Sequence, residues 1–140
     1  MSKNFKVLKI DHIGIAVKNI KQSGRLFDEL LGMDSSKEEI VEAERVVVKK
    51  IAPKESISKL ELIEGLYKDS VISKYVDKKG QGIHHIALEV DNIYNAIQYL
   101  DFNDINIIYK EPKLGSDNKL ITFIHPSSAS GILIELCQKQ

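Results

Sequence analysis

Four side chains stand out for the chemistry they could do together: His12, Glu61, His85 and Glu135. They form two His-then-Glu pairs, and the second pair repeats the first 73 to 74 residues later (12 to 85, 61 to 135). Their surroundings repeat as well. The run IDHIGIAVKNI at 10–20 matches IHHIALEVDNI at 83–93 in six of eleven positions, and LEL at 60–62 matches IEL at 134–136. Two repeats at nearly one offset point to a duplicated unit. Strand alternation places His12, Gly14 and Ala16 on one face, and Ile13, Ile15 and Val17 on the other. The branched residues need a helix to cover them, so the histidines face away, beside small residues that leave room for a ligand. Pseudo-twofold packing of the repeats would bring two imidazoles and two carboxylates to one centre. That donor set suits a divalent ion such as Co²⁺, Mn²⁺, Ni²⁺, Fe²⁺ or Zn²⁺. Four protein ligands in an octahedron leave two positions for Lewis-acid chemistry. Taken singly, a strand His reads as a hydrogen-bonded structural group and a strand Glu as a solvated one. The matched repeat carries the metal reading.

The elements that must position these residues can be read in the same order. Residues 10–17 alternate as a strand, and Asn19 caps a helix with an apolar face of Ile20, Leu26, Phe27, Leu30 and Leu31, stopped by Gly32. Residues 46–51 and 59–63 read as strands, and 33–44 is ambiguous, with room for a short one. A connecting helix follows at about 69–79, closed by Gly80 and Gly82. The second copy has a strand at 83–90, a helix from Asp91 or Asn92 carrying Ile93, Ala96, Ile97 and Leu100, and strands near 105–109, 120–124 and 132–137. The expected fold class is α+β: two tandem β-α-β-β-β modules, about 9–64 and 83–138, forming a curved mixed sheet around a metal site within one domain, 1–140.

Composition narrows the function classes. The 20 basic and 20 acidic residues cancel, so nothing suggests a nucleic acid or another polyanion as partner. No apolar run reaches the length of a membrane span, and the first eight residues alternate charged and apolar without a signal-peptide core. The lone cysteine, Cys137, cannot form an internal disulfide and suits a reducing compartment. The expectation is a cytoplasmic protein that contacts neither membrane nor nucleic acid.

Six runs carry a resemblance: DHIGIAV at 11–17, LELIE at 60–64, GQGIHHIA at 80–87, EPKLG at 111–115, FIHP at 123–126 and GILIEL at 131–136. Together they resemble the glyoxalase-like, or vicinal-oxygen-chelate, superfamily (the glyoxalase / bleomycin-resistance / dioxygenase-like fold), and within it the methylmalonyl-CoA epimerase family, over roughly 9–138. The resemblance implies a coenzyme A thioester as substrate, a homodimer, and epimerisation of (R)- and (S)-methylmalonyl-CoA through metal-assisted removal of the C2 proton. It implies metal ligation by His12, Glu61, His85 and Glu135, with Glu135 also serving as an acid–base group. It places a second glutamate at the position of Val48, which cannot move a proton; Glu44, or Glu42 beside it, is the nearest candidate to replace it. Gly65 stands where the family has Pro, and Ser116 to Lys119 replace a loop richer in Gly.

Other residues read as follows. His84 points away from His85 and is structural. His125 is either a turn residue or a pocket residue. Cys137 is a buried bystander. Lys110, Lys113 and Lys119 either meet coenzyme A phosphates or are solvated. Two other functions fit the same pattern: a glyoxalase-I-type lactoylglutathione lyase or a related metalloenzyme, and a non-catalytic small-molecule binding protein.

Overall fold

A computed structural model describes residues 1–140. The chain packs as two compact units, one made of residues 12–84 and one of residues 1–11 with 85–140. No helix is long and apolar enough to cross a membrane.

The unit of residues 12–84 contains the second half of β1 (Val7–Ala16), with α1 (Ile20–Arg25), β2 (Asp34–Ser35), β3 (Glu39–Val41), β4 (Val46–Ala52), β5 (Lys59–Gly65) and α2 (Val71–Lys79). Its strands run β2-β4-β5-β1, with β3 also paired to β4. β1 is parallel to β5, and β4 is antiparallel to it. One sheet face carries Ile15, Val17, Val47, Ile51 and Leu62, which pack with Ile20 and Phe27 around α1. The other carries Ala16, Val46, Val48 and Ile63, which pack with Ile72, Tyr75 and Val76 of α2. α1 begins where expected, the Asn19 side chain accepting from the Gln22 amide at 2.9 Å. Its apolar face is shorter than the spacing predicted. Leu26–Leu30 forms a π-helical turn, and Leu26, Leu30 and Leu31 are 50%, 61% and 60% exposed. The wider turn rotates successive side chains less than an α-helix does, so these leucines leave the sheet and Phe27 remains on it.

Gly65 has a clear packing reason. A Cβ there would lie 1.9 Å from Ser73 Oγ, which donates to the Tyr67 carbonyl at 2.6 Å. The close approach of α2 to the end of β5 therefore excludes any side chain, including the Pro that the resemblance leads one to expect.

The second unit contains the start of β1 with most of β6 (Gly82–Val90), α3 (Ile93–Phe102), β7 (Lys113–Leu114), β8 (Leu120–Ile124) and β9 (Ile134–Gln138). The strand order is β1-β6-β9-β8-β7, with β6 parallel to β9 and β8 antiparallel to it. Val90, Leu136, Ile93, Ala96 and Ile97 form the core between this sheet and α3. Asn92 caps α3 by accepting from the Asn95 amide at 2.9 Å, the counterpart of Asn19 on α1. Residues 105–109 do not form the expected strand; they make one bridge, Ile107 to Ile124. The Thr122 hydroxyl takes both the amide and the carbonyl of Tyr109 (3.2 and 2.7 Å), so a side chain replaces the next rung of the ladder. Residues 33–44, ambiguous by pattern, hold both β2 and β3.

Candidate metal centre

Each unit presents one buried His–Glu pair on the sheet face turned away from its first helix, α1 or α3. In the unit of residues 12–84, His12 and Glu61 are 3% and 4% exposed, and Nε2 lies 3.7 Å from Oε1. In the other, His85 and Glu135 are 4% and 6% exposed, with the same atoms 3.4 Å apart. The local geometry repeats as the sequence does. Glu61 lies beside Gly14 in the parallel pair β1–β5, and Glu135 beside Ala87 in β6–β9. Gly14 and Ala87 both stand two residues after the histidine, so in each unit a small residue leaves the space in front of the glutamate open.

These pairs fit a divalent cation. A buried carboxylate is costly unless a cation or several donors compensate it. Both pairs are wider than a hydrogen bond, and two cis ligands with bonds near 2.1 Å stand about 3 Å apart. Two neutral imidazoles and two carboxylates offer only N and O donors, which suits borderline to hard divalent ions.

The neighbouring residues separate into roles. Cys137 shares the Glu135 face in β9, and burial, then the Glu135 and Asp11 carboxylates, push its thiol up to about 12; it is a neutral thiol and not a nucleophile. His84 packs edge-on against Tyr75, ring centroids 4.8 Å apart, and burial holds its imidazole below the usual histidine range, as a structural residue. His125 is exposed and follows β8. Its Nδ1 accepts from the Ser127 amide at 3.0 Å and so caps the short 3-10 turn Pro126–Ser128. Phe123 stands across from Glu135 and edge-on to His85, and Tyr109 packs edge-on to Phe123.

The three loop lysines have different fates. Lys119 is buried and its Nζ lies 3.0 Å from the buried Asp11 carboxylate. Burial opposes its charge, but Asp11 outweighs that and raises its pKa. Lys110 pairs with Asp101, and Lys113 lies 4.0 Å over the Tyr109 ring.

Val48, where the resemblance places a second acid–base glutamate, is apolar. Val48 is 3% exposed, lies across from Ile63, and so shares the face of Glu61. Glu42 is exposed on the turn Glu42–Glu44, while Glu44 Oε1 is sealed from solvent. Glu44 precedes Val46, which pairs with Gly65, four residues beyond Glu61 on β5. Sequence reasoning missed Lys50. It lies directly across from Glu61, and its Nζ is sealed from solvent. Strand parity between 48 and 50 was the available signal.

The model of the Glyoxalase/Bleomycin resistance protein/Dioxygenase superfamily matches residues 11–123. An uncharacterised protein of Bacillus subtilis, YqjC, is 38% identical over 93% of this chain and 91% of its own length. The mitochondrial methylmalonyl-CoA epimerase of Dictyostelium discoideum is 36% identical over 94% of this chain and 78% of its own. A solved methylmalonyl-CoA epimerase in complex with methylmalonyl-CoA and NH4+ is 28% identical, with a TM-score of 0.90 and 96% of each chain covered.

Proposed function

The chain belongs to the Glyoxalase/Bleomycin resistance protein/Dioxygenase superfamily, and on that footing we propose that it epimerises (R)- and (S)-methylmalonyl-CoA. The observation that carries the reading is the buried His–Glu pair that recurs at matched registers in a chain whose named relatives are methylmalonyl-CoA epimerases. His12, Glu61, His85 and Glu135 are the proposed ligands of one divalent ion, with Co²⁺ or Mn²⁺ the first candidates. Such an ion supplies Lewis-acid stabilisation where negative charge develops as the C2 proton leaves.

The chain's own residues do the rest. Glu135 is the proposed acid–base group for one face of C2. Its carboxylate is held by β9 between Ala87 and Phe123, so it needs little reorganisation to meet the proton. The small residues before each glutamate keep room for the thioester. Inversion requires a proton donor on the opposite face. Glu44 is the carboxylate proposed for that role, reaching substrate from the far end of β4. A homodimer and a cytoplasmic location are further parts of this proposal.

Proton NMR of methylmalonyl-CoA in D₂O tests the reading. Added enzyme should wash the C2 proton into solvent and equilibrate the epimers, and both should stop on chelation and resume with Co²⁺ or Mn²⁺. No exchange at saturating metal would sink it.

A further inference from the structure

The surroundings of Glu135 within its own unit are uneven. On one side its strand neighbour is Ala87 of β6, which is small and fully buried. On the other it is Phe123 of β8, directly across the antiparallel pair. Cross-strand partners share a face, with Cβ atoms about 4.5–5.5 Å apart, so the Phe123 ring flanks the Glu135 carboxylate. Two edge-on contacts hold the ring. Its centroid lies 6.0 Å from that of His85 and 6.0 Å from that of Tyr109, at interplanar angles of 85° and 75°. Two residues along the same face, Ile121 and Cys137 pair with each other and are buried. Phe123 is half-buried and keeps accessible surface.

The fold does not itself demand a ring at this place. In the other repeat the residue across from Glu61 is Lys50, so the same strand pairing is built with a different side chain. The chemistry at C2 supplies a reason for an aromatic. C2 of a methylmalonyl thioester carries the thioester carbonyl, the carboxylate, hydrogen and methyl. The first two are polar. The hydrogen has to face the Glu135 carboxylate if that group is to take it. The methyl is the apolar group that remains, and apolar surface beside Glu135 is where its burial is favourable. Loss of the proton makes C2 planar. The methyl therefore stays close to one plane while hydrogen leaves one face and returns to the other. A flat ring held from two sides suits a group that moves so little.

We propose that Phe123 is a specificity-determining residue: the wall that the substituent on C2 meets, limiting it to about the size of a methyl. This rests on the epimerase reading above. Tyr109 packs edge-on to the ring and is itself covered by Lys113, 4.0 Å over its centroid, so the wall has support against a longer chain. The substrate class it selects is a coenzyme A thioester of a malonate with a one-carbon branch.

Proton exchange at C2 in D₂O, measured with methylmalonyl-CoA and with ethylmalonyl-CoA at saturating metal, tests this as a ratio of kcat/KM values. Changes in metal loading or folded fraction act on both substrates alike and cancel in the ratio. Wild type should favour the methyl substrate by about 10- to 200-fold, the range for one methylene in an apolar pocket. Phe123→Leu should reduce that preference by about tenfold, because the added methylene then has room. Phe123→Tyr keeps the ring and should keep the preference. Phe123→Met, also apolar and unbranched, gives the same comparison should Phe123→Leu fail to fold. An equal loss on both substrates in Phe123→Leu, or a wild type with no preference, would show that Phe123 does not set the size of the branch. A wild type that exchanges neither substrate would instead overturn the epimerase reading itself.

Discussion

At the residue scale the main question is which groups move protons. Glu135 has two proposed duties, ligand and base, and a neutral isostere separates them. Glu135→Gln, assayed at saturating metal, should lose C2 exchange by about 10²- to 10⁴-fold, the usual contribution of a general acid–base group. Deuterium uptake near the wild-type rate would leave Glu135 as a ligand only. The opposite face is a sharper case. Val48 cannot carry a proton, and the Glu44 carboxylate begins from the other end of β4. Glu44→Ala should therefore slow inversion more than exchange, since Glu135 still serves one face. Val48→Glu places a carboxylate on the Glu61 face, and a large gain in inversion would show that the wild type works with an incomplete pair. Equal rates of inversion in Glu44→Ala and wild type would remove Glu44 from the reaction.

At the element scale two close contacts set what the strands and loops tolerate. Gly65 ends β5 under α2, with Ser73 Oγ where a Cβ would be. Gly65→Ala should destabilise the fold by about 1–3 kcal/mol through overpacking, read as a lower urea midpoint at unchanged m value. The loop before β8 is held from inside by Lys119 and Asp11. The folded pKa of Lys119 lies above its ordinary value, so this pair contributes stability fully below the unfolded lysine value, about 10.4. The contribution is lost as pH rises through the folded value. Urea titrations should thus show a steeper alkaline fall for wild type than for Lys119→Met. The variant itself should be less stable at neutral pH, because the buried Asp11 loses its nearer cation and keeps Lys9, 3.6 Å away, as an ion-pair partner. Parallel alkaline curves would show that the pair is not coupled to folding.

At the scale of the whole molecule the duplication makes a stoichiometric claim. Two His–Glu pairs, one in each unit, are proposed to serve one ion and not one ion each. Metal titration should give one divalent ion per chain. His12→Ala and His85→Ala should each weaken that same ion by more than about a hundredfold, beyond the effect of losing a supporting contact. Gly14 and Ala16 already leave the His12 face open, so circular dichroism should show an unchanged fold for His12→Ala. Two ions, or a variant that loses one of two, would mean that the pairs act separately.

The sequence by itself determined the repeat, the paired modules, the two helix caps and the four proposed ligands. All of these follow from spacing and alternation, which are local and survive in a string of letters. His12 and Glu61 were legible because a strand period of two assigns faces without any knowledge of neighbours. What only the tertiary structure decided depends on which strand lies beside which. Pairing of β4 with β5 put Lys50 opposite Glu61. Packing of α2 onto β5 explained Gly65, and the buried pair with Asp11 took Lys119 out of the loop's exposed charge. The exposed leucines of the π-helical turn and the missing strand at 105–109 have the same origin. A hydrophobic period predicts that a face exists, but hydrogen-bond competition from one turn or one threonine decides whether the chain uses it.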